Sequence, residues 1–345
     1  MLVDQNLANF SDIAFRTAVA VYVVGLFMSL YYYGRIQAVI DARRSAKQAT
    51  AADAAKKAGP YADTSYDTDG TVAVLTREGP DDSIDPAELR AKELKADRIG
   101  SMTQSLIWVG IAVHLVAIVL RGLSAGRFPF GNLYEYVLMV TFGAMTASAL
   151  AFQRKEWRTL WPWMLTPIVL LMFYGGTKLY AESAPVVPAL QSYWLPIHVT
   201  VVSLGASIGL LSGLMSLLSM LRVWQPKGTE HGFFGRIAKP LPTAKKLDQL
   251  AYRTAIITLP TLGLGIILGA IWAEAAWGRP WGWDPKETVS FATWVLYAAY
   301  LHARATPSWR KAAPWINIAA MACMIFNLFF INMVVSGLHS YAGLN

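Results

Sequence analysis

A tryptophan-rich segment at residues 272–287 carries the residue types with the clearest chemical potential in this chain. Four tryptophans fall within twelve residues, and an Asp-Pro-Lys-Glu turn follows them at 284–287. Indole rings at this density can bind a large, flat, apolar ligand. A plain interfacial aromatic belt places only one or two tryptophans at the end of a membrane span. We therefore interpret the segment as a ligand-binding loop that includes Trp272, Trp277, Trp281, Trp283 and Asp284.

Two of the five histidines fall on the same predicted side of a membrane as this loop. His198 begins one predicted span and His339 ends another, so both imidazoles are expected at about the same depth. A single histidine there is typically a hydrogen-bonded side chain at the headgroup level. Two neutral imidazoles facing each other across a flat ligand form the bis-histidine arrangement of haem iron. The pair and the loop together predict a haem site with His198 and His339 as axial ligands.

The other histidines allow several interpretations. His302 lies 14 residues after Thr288, which is roughly 21 Å along a helix at 1.5 Å per residue. It cannot reach the outer site, so it is either a separate functional residue within a span or a histidine that reaches the inner headgroups. His114 could line the cavity, hydrogen-bond a neighbouring helix or ligate, and we expect it to be structural support. His231 is expected to be a solvated loop residue.

These residues must be positioned by membrane spans, because 55% of the 345 residues are hydrophobic and soluble domains rarely reach that fraction. A span needs about 20 apolar residues. The sequence predicts an all-α, polytopic membrane protein with about eight transmembrane helices. They lie at residues 13–34, 101–121, 132–152, 159–176, 196–221, 253–273, 288–303 and 314–336.

The lysines and arginines between the spans predict the orientation. The segments 35–98, 153–158, 222–253 and 304–311 carry 24 basic residues, and the alternate segments carry 5. Because basic residues near span ends stay on the cytoplasmic side, both termini and the tryptophan loop are expected on the outer face. Topology thus accounts for the net charge of +8 without a nucleic-acid partner.

The chain divides into three predicted parts. Residues 1–34 form a first transmembrane helix, and 99–345 form the membrane domain that carries the loop. The segment 35–98 is rich in Ala, Asp, Lys and Gly, which predicts a cytoplasmic, largely disordered linker with at most a short helix at 86–97. The single cysteine, Cys323, excludes a disulfide framework and a dithiol centre within this chain. Glycines at every fourth position from 205 to 213, and at 265 and 269, predict close helix packing.

Several sequence blocks resemble a known family. Residues 281–287, Trp-Gly-Trp-Asp-Pro-Lys-Glu, resemble the core of the tryptophan-rich WWD signature of haem-handling proteins. The chain from about residue 100 onward resembles the CcsA/ResC family of system II cytochrome c biogenesis, called CcsB in some bacteria. Val289 departs from the pattern, because another aromatic residue is expected there. The further matching blocks lie at 127–135, 195–198, 300–304 and 337–341.

The resemblance implies a role in cytochrome c assembly. His198 and His339 would be the outer axial ligands of haem b, and the loop 272–287 would hold the porphyrin. His302 would serve an inner haem site, whose second histidine is expected on a smaller CcsB/ResB-type membrane subunit. With that partner the chain would act as a holocytochrome c synthase, or haem lyase, in the bacterial plasma membrane.

The expected reaction joins haem by thioether bonds to the Cys-x-x-Cys-His segment of apocytochrome c. No residue of this chain is expected to act as a nucleophile, and the thiols would be kept reduced by thioredoxin-like proteins of the same pathway. Arg-carboxylate pairs are the stronger type of propionate contact. The outer cations available for propionates are Arg121, Arg127, Lys178 and Lys286.

Three other functions fit parts of the pattern. A haem exporter or chaperone would share every ligand but would not attach haem. A membrane cytochrome b for electron transfer would require histidine pairs at both membrane depths, and only the outer pair is complete within this chain. An ion transporter would require paired charges near the middle of the membrane, which the sequence does not provide.

Overall fold

A computed structural model describes residues 3–57 and 86–339, with the backbone alone at 53–57. The described residues form helices and connecting turns, with no β-strand among them. Short 3-10 turns occur at Lys155–Leu160 and Pro188–Gln191, and a π-helical turn at Asn327–Ile331 extends the last helix. The helices are α1 Gln5–Lys57, α2 Pro86–Ala125, α3 Leu133–Ala151, α4 Trp161–Lys178, α5 Trp194–Trp224, α6 Gly232–Ala238, α7 Ala244–Trp277, α8 Pro285–Ala305 and α9 Ala313–Phe326.

The chain is an all-α, multi-pass membrane protein. Seven segments of the described chain are long and apolar enough to cross a membrane, whereas the sequence predicted eight. They are α1, α2, α3, α4 with its preceding turn, α5, α7, and α9 with its π-helical turn. The remaining predicted span is present as α8, a helix of 21 residues. It differs because Lys286, Glu287, His302 and Arg304 give it polar ends and lower its apolar character.

The described residues of the predicted linker at 35–98 are helical. The short helix predicted at 86–97 is present as the start of α2, whereas a helix at 35–57 was not expected. α1 continues past the first span to Lys57, and α2 begins at Pro86, so the two helices extend beyond the bundle. Alanine, lysine, arginine and glutamine in these extensions favour helix, and an ion pair of 2.7 Å between Arg43 and Glu93 joins them. Residues 58–85 lie outside the described part of the chain.

Close packing around α5 confirms the interpretation of its glycines. A Cβ atom on Gly209 would lie 2.6 Å from the Tyr297 hydroxyl of α8, and one on Gly205 would lie 3.1 Å from the Leu262 backbone nitrogen of α7. Such distances leave no space for a side chain, so neighbouring helices approach the α5 backbone directly. α5 therefore forms the centre against which α3, α7 and α9 pack.

One end of the bundle gathers the predicted functional segments. The first turns of α3, α5 and α8, the last third of α7 and the residues that follow α9 all meet there. These termini are far apart in sequence, so only the packing of the helices brings them together.

Candidate functional site

A cavity occupies this end of the bundle, with about 1040 Å³ of empty space including its open mouth. The cavity is open to the outside, as a site that receives a ligand must be. Its walls are mainly apolar and aromatic, with a few polar groups. The polar lining side chains are Asn132, Tyr136, His198, Lys286, Glu287, Ser290, Asn332 and His339.

His198, in the first turns of α5, presents one defined ring nitrogen to the cavity. Its Nδ1 lies 2.8 Å from the carbonyl oxygen of Gly265 on α7. Because a carbonyl can only accept, Nδ1 carries the proton and Nε2 of the neutral ring has a lone pair. The ring stacks on Trp272, with centroids 5.9 Å apart and planes 12° from parallel. His198 Nε2 makes no hydrogen bond with a described residue, so it is available as a ligand atom.

His339, the last described residue, lies against the same indole. Its ring centroid is 5.6 Å from that of Trp272 and 5.0 Å from that of Trp277. Its Nδ1 lies 2.9 Å from Asp284 Oδ1, so this nitrogen donates to the carboxylate and Nε2 retains its lone pair. The structure thus brings both predicted ligands to one cavity and gives them the same tautomer.

Asp284 orders the site from the start of α8. Its side chain accepts from the backbone N–H of Lys286 at 3.1 Å, and Glu287 completes a capping box. Its second oxygen accepts from the Leu338 backbone N–H at 2.8 Å. Burial opposes ionisation of Asp284, but the hydrogen bonds from His339, Leu338 and Lys286 outweigh it and lower the pKa to about 2. The carboxylate is therefore ionised at neutral pH, and its hydrogen bonds join Leu338 and His339 to the start of α8.

The two ends of the tryptophan loop are fixed by local signals. α7 ends at Trp277 because Gly278 adopts the left-handed conformation, with φ of 68°. α8 begins after Asp284, with Pro285 at its first position. Glu287 accepts from the backbone N–H groups of Gly282 at 2.9 Å and Asp284 at 3.0 Å, so the side chain folds the loop back onto α8.

The four tryptophans of the loop have different positions. Trp272 and Trp281 line the cavity. Trp277 packs behind Trp272, with ring centroids 4.7 Å apart. Trp283 does not line the cavity and is 67% exposed, although it contacts the Trp281 ring. It has a φ of 57°, a conformation that costs a residue with a side chain about 1–3 kcal/mol and that tends to occur at functional sites. All four tryptophans were expected to bind the ligand. In the structure two of them line the cavity, one packs behind these and one faces outward.

Lys286 is the predicted propionate contact that reaches the cavity. Its ammonium group donates to the side-chain oxygen of Asn332 and lies 5.9 Å from the Tyr136 ring centroid. Burial lowers the pKa of Lys286 to about 8, although the Asp284 carboxylate acts in the opposite direction. The Lys286 ammonium group is therefore held in the cavity by Asn332 and Tyr136, where it can bind an anion.

Arg121 and Arg127 are not brought into the cavity. Both pair with the buried carboxylate of Glu135, with shortest N···O distances of 3.0 and 2.8 Å. Glu135 also accepts from the Gly131 backbone N–H at 2.6 Å, and Asn132 caps α3. The block 127–135 is therefore a structural anchor that positions Phe130, Asn132 and Leu133 in the cavity wall. Lys178, at the end of α4, does not line the cavity either.

The remaining histidines are also outside the cavity. His302 lies in the last turn of α8, at the opposite end of that helix from Asp284, and its side chain is exposed. His114 is fully buried between Tyr22 and Phe142, whose ring centroids lie 5.9 and 5.7 Å from its own. That position fits the expected structural role. His231 is exposed in the turn before α6.

Sequence reasoning missed several lining residues. Asn332 follows the π-helical turn at the end of α9, and a polar residue inside an apolar run was a usable signal for it. Gly269 was interpreted only as a packing residue. A Cβ atom there would lie 2.6 Å from His198 Cε1, so this glycine leaves the space that the imidazole occupies. Nothing in a single sequence distinguishes that role from ordinary helix packing.

We predict that Gly269→Ala weakens ligand binding about tenfold. The added methyl group would displace the His198 ring and break its bond to Gly265, and a net hydrogen bond is worth about 1 kcal/mol or somewhat more. Haem retained through purification, measured by absorption, checks the change. Gly34→Ala is the matched control, because a Cβ there meets nothing within 4 Å. Equal haem content in the two variants would contradict the positioning role.

Comparisons with known proteins place the chain among cytochrome c assembly proteins. The sequence profile described as Cytochrome C assembly protein matches residues 130–339. The protein is 36% identical over 243 residues to "Cytochrome c biogenesis protein CcsA" of Guillardia theta, covering 65% of this chain and 80% of that one. It is 35% identical over 267 residues to the protein of the same name from Prochlorococcus marinus, covering 70% and 84%.

A solved structure shares the fold. "Cytochrome c Heme Lyase CcmF" superimposes with a TM-score of 0.57 over 95% of this chain, at 14% sequence identity. The aligned region is 48% of that protein, so this chain spans about half of its length. The likeness concerns the helical architecture alone.

Proposed function

This chain belongs to the cytochrome c assembly protein family, with CcsA proteins among its relatives, and from that premise we propose that it presents haem b for attachment to apocytochrome c. His198 and His339 would bind the iron from its two sides. Acting with a partner subunit, the chain would be the haem-holding component of a holocytochrome c synthase.

One observation carries the proposal. Both imidazoles contact Trp272, and both donate their Nδ1 protons to fixed acceptors. A histidine that ligates a metal through Nε2 commonly has its other ring nitrogen bound to a carbonyl or carboxylate, which fixes the ring and raises its basicity. The two rings meet this condition independently, one with a backbone carbonyl and one with a carboxylate.

The rest of the cavity is compatible with a porphyrin. Its apolar and aromatic walls fit a flat macrocycle, and Trp272 and Trp281 supply indole rings for its faces or edges. Lys286 supplies a cation for one propionate, and the side-chain oxygen of Asn332 accepts a hydrogen bond from it. We propose Lys286, rather than Arg121 and Arg127, as the propionate contact, because both arginines are paired with Glu135.

The proposed reaction is the addition of two cysteine thiols to the two vinyl groups of haem. Each addition breaks one S–H bond and the π bond of one vinyl group, and it forms one C–S and one C–H bond. Atoms and electrons therefore balance without an oxidant, and the substrate supplies both nucleophiles. The residues of this chain would hold the ring and present its vinyl edge to the Cys-x-x-Cys-His segment. Correct positioning of reactants can lower a barrier by about 7–11 kcal/mol in favourable cases. Thioredoxin-like partners would deliver the thiols in reduced form.

The charge distribution supports an outer location for the cavity. The loops at the opposite end of the bundle carry most of the basic residues, which supports the proposal that this end faces the cytoplasm across a bacterial plasma membrane. Both termini would then face outward. His302 lies toward the cytoplasmic end with an exposed side chain, as a residue that completes an inner haem site with a CcsB/ResB-type partner would.

We predict that His302→Ala lowers haem in the outer cavity without altering the cavity itself. Because α8 places this side chain at its far end, the variant should fold normally and still bind haem added to purified protein. Haem acquired in cells, measured by absorption after purification with the partner, should fall strongly. Normal haem content after expression in cells would contradict an inner-site role.

We predict that haem retention falls as pH rises through the pKa of Lys286. This pKa is about 8, below the ordinary lysine value, so the ammonium loses its charge earlier than a solvated lysine would. A bound propionate raises that midpoint, and hydrogen bonds to charged groups are worth about 1.5–3 kcal/mol. Haem retention of Lys286→Met should lack this pH dependence, whereas Lys286→Arg should keep its charge and its haem. An identical alkaline profile in wild type and Lys286→Met would contradict the propionate contact.

The function is tested by reconstitution. Purified chain and partner are incubated with reduced haem and a Cys-x-x-Cys-His peptide, and thioether-linked haem is measured by mass spectrometry. Covalent product that depends on His198 and His339 supports the synthase. Release of haem to the peptide without covalent product would indicate a haem exporter. Haem that stays bound and is only oxidised and reduced would indicate a cytochrome b.

A further inference from the structure

We propose that a basic groove at the end of the bundle opposite the cavity binds the phosphate headgroup of an anionic phospholipid. The groove lies between the end of α3, the 3-10 turn after it and the first turns of α7, and holds about 780 Å³ of empty space including its open side. It is independent of the haem site. We define the basic groove by Leu150, Ala151, Gln153, Arg154, Trp157, Lys246, Gln249, Leu250 and Arg253.

Two of the three positive charges in the groove are uncompensated by any residue in 3–52 or 86–339. Three of its lining side chains are cationic and none is acidic. Glu156, which is not a lining residue, forms an ion pair with Lys246 and partly neutralises its ammonium group. Arg154 and Arg253 make no ion pair and no side-chain hydrogen bond with any residue in 3–52 or 86–339. Two exposed guanidinium groups therefore face one open space, where they can donate to phosphate oxygens.

The groove lies at the boundary between apolar and polar chain. Arg154 comes two residues after Phe152, where α3 ends, and Arg253 directly precedes the long apolar part of α7. Trp157 is half-buried and packs against the main core cluster. Tryptophan and arginine at a span end mark the headgroup level of a membrane. The two guanidinium groups are thus expected where lipid phosphates occur.

The apolar part of the groove selects an amphiphile. Leu150 and Leu250 lie beside the cationic side chains, so a ligand with an anionic head and an apolar tail fits better than a soluble anion. None of the nine lining residues is His, Met or Cys, the usual protein ligands of haem iron. Basic pockets between transmembrane helices on the cytoplasmic side bind anionic lipid headgroups in this way.

The experiment compares lipid retention in nanodiscs. Full-length protein is reconstituted in phosphatidylcholine alone or with phosphatidylglycerol, and co-purifying lipid is measured by native mass spectrometry. Each basic residue near the surface contributes about fivefold to anionic-lipid binding, so Arg154→Gln/Arg253→Gln should lower phosphatidylglycerol retention about 25-fold. The double substitution to lysine, which keeps both charges, should retain most of the lipid.

Two controls separate the explanations. Arg310→Gln/Lys311→Gln removes the same charge from the exposed turn before α9, outside the groove, and should leave retention unchanged. Inorganic phosphate is tested as the competitor. Equal loss of lipid in both glutamine pairs would mean that total charge rather than the groove binds lipid, and would overturn the proposal. Displacement of phosphatidylglycerol by inorganic phosphate, or stabilisation by phosphate in phosphatidylcholine alone, would assign the groove to a soluble anion and would overturn it as well. If the double glutamine variant does not fold, the two single glutamine variants are measured instead. Loss of lipid in either of them, with wild-type retention in the double lysine variant, would support the groove. Wild-type retention in both single glutamine variants would overturn it.

Discussion

Replacing either His198 or His339 with alanine is expected to abolish mature c-type cytochrome and to remove haem from the purified protein. Each substitution deletes one of the two imidazoles that contact Trp272. Removing only the group that hydrogen-bonds to a metal-ligating histidine lowers metal affinity about 10–100-fold. Deleting the histidine itself should lower it further. The absorption spectrum of the reduced protein should change in both variants, because each loses one of the two proposed axial ligands.

The control for this result is His231→Ala. His231 is exposed in the turn before α6 and lies outside the cavity, so its loss should alter neither the spectrum nor cytochrome c formation. Added imidazole should partly restore the two ligand variants, because a free imidazole can occupy the space left by the missing ring. Normal cytochrome c formation by both variants without added imidazole would refute the ligand assignment.

Asp284→Ala is expected to have the second largest effect, because one carboxylate has three partners. It accepts from the His339 ring at 2.9 Å, from the Leu338 backbone at 2.8 Å and from the Lys286 backbone at 3.1 Å. Without this carboxylate the His339 ring loses its hydrogen-bond acceptor, which should lower haem affinity about 10–100-fold. Losing the N-cap should also destabilise the protein by about 1 kcal/mol.

Asp284→Asn separates these contributions. Asparagine caps helices about as well as aspartate, so the thermal midpoint should stay near wild type. The neutral amide is a weaker acceptor for the His339 ring, so haem content should still fall. Asp248→Asn is the matched control, since that carboxylate pairs with Arg304 away from the cavity. Unchanged haem content in Asp284→Asn would show that the charge on this residue does not hold His339.

The pH dependence of the Asp284 contact follows from its depressed pKa. Hydrogen bonds hold that pKa at about 2, so the stability that they contribute is present above the ordinary aspartate value. It is lost progressively as pH falls from that ordinary value through about 2. The His339 anchor should therefore persist through mild acid, and the change at alkaline pH expected for Lys286 can be measured without interference from it.

The sequence was informative where the signal is local. Asp284, Pro285 and Glu287 predicted the start of α8, because a capping box is made by residues within one helical turn. Apolar runs predicted seven of the spans for the same reason. The helix at 35–57 was missed, because its polar composition suggested a linker. Alanine-rich helix propensity and contacts between α1 and α2 favour the helix instead.

The orientation of side chains was the least predictable feature. All four loop tryptophans are alike in sequence, yet Trp272 and Trp281 line the cavity and Trp283 faces outward. Arg127 and Lys286 were both available outer cations. Glu135, eight residues later at the start of α3, pairs with the arginine, whereas the lysine remains in the cavity beside Asn332, 46 residues away. Which side chains line the cavity depends on how the ends of several helices pack together, and the sequence does not show that packing.

The sequence by itself determined the class of protein, the spans and which histidines could share one membrane depth, because hydrophobicity and charge act residue by residue. Only the tertiary structure decided that His198 and His339 contact one indole and donate their Nδ1 protons to acceptors on other segments. The physical reason is that a tautomer and a ring orientation are fixed by hydrogen bonds and packing between segments, which exist only once the helices have assembled.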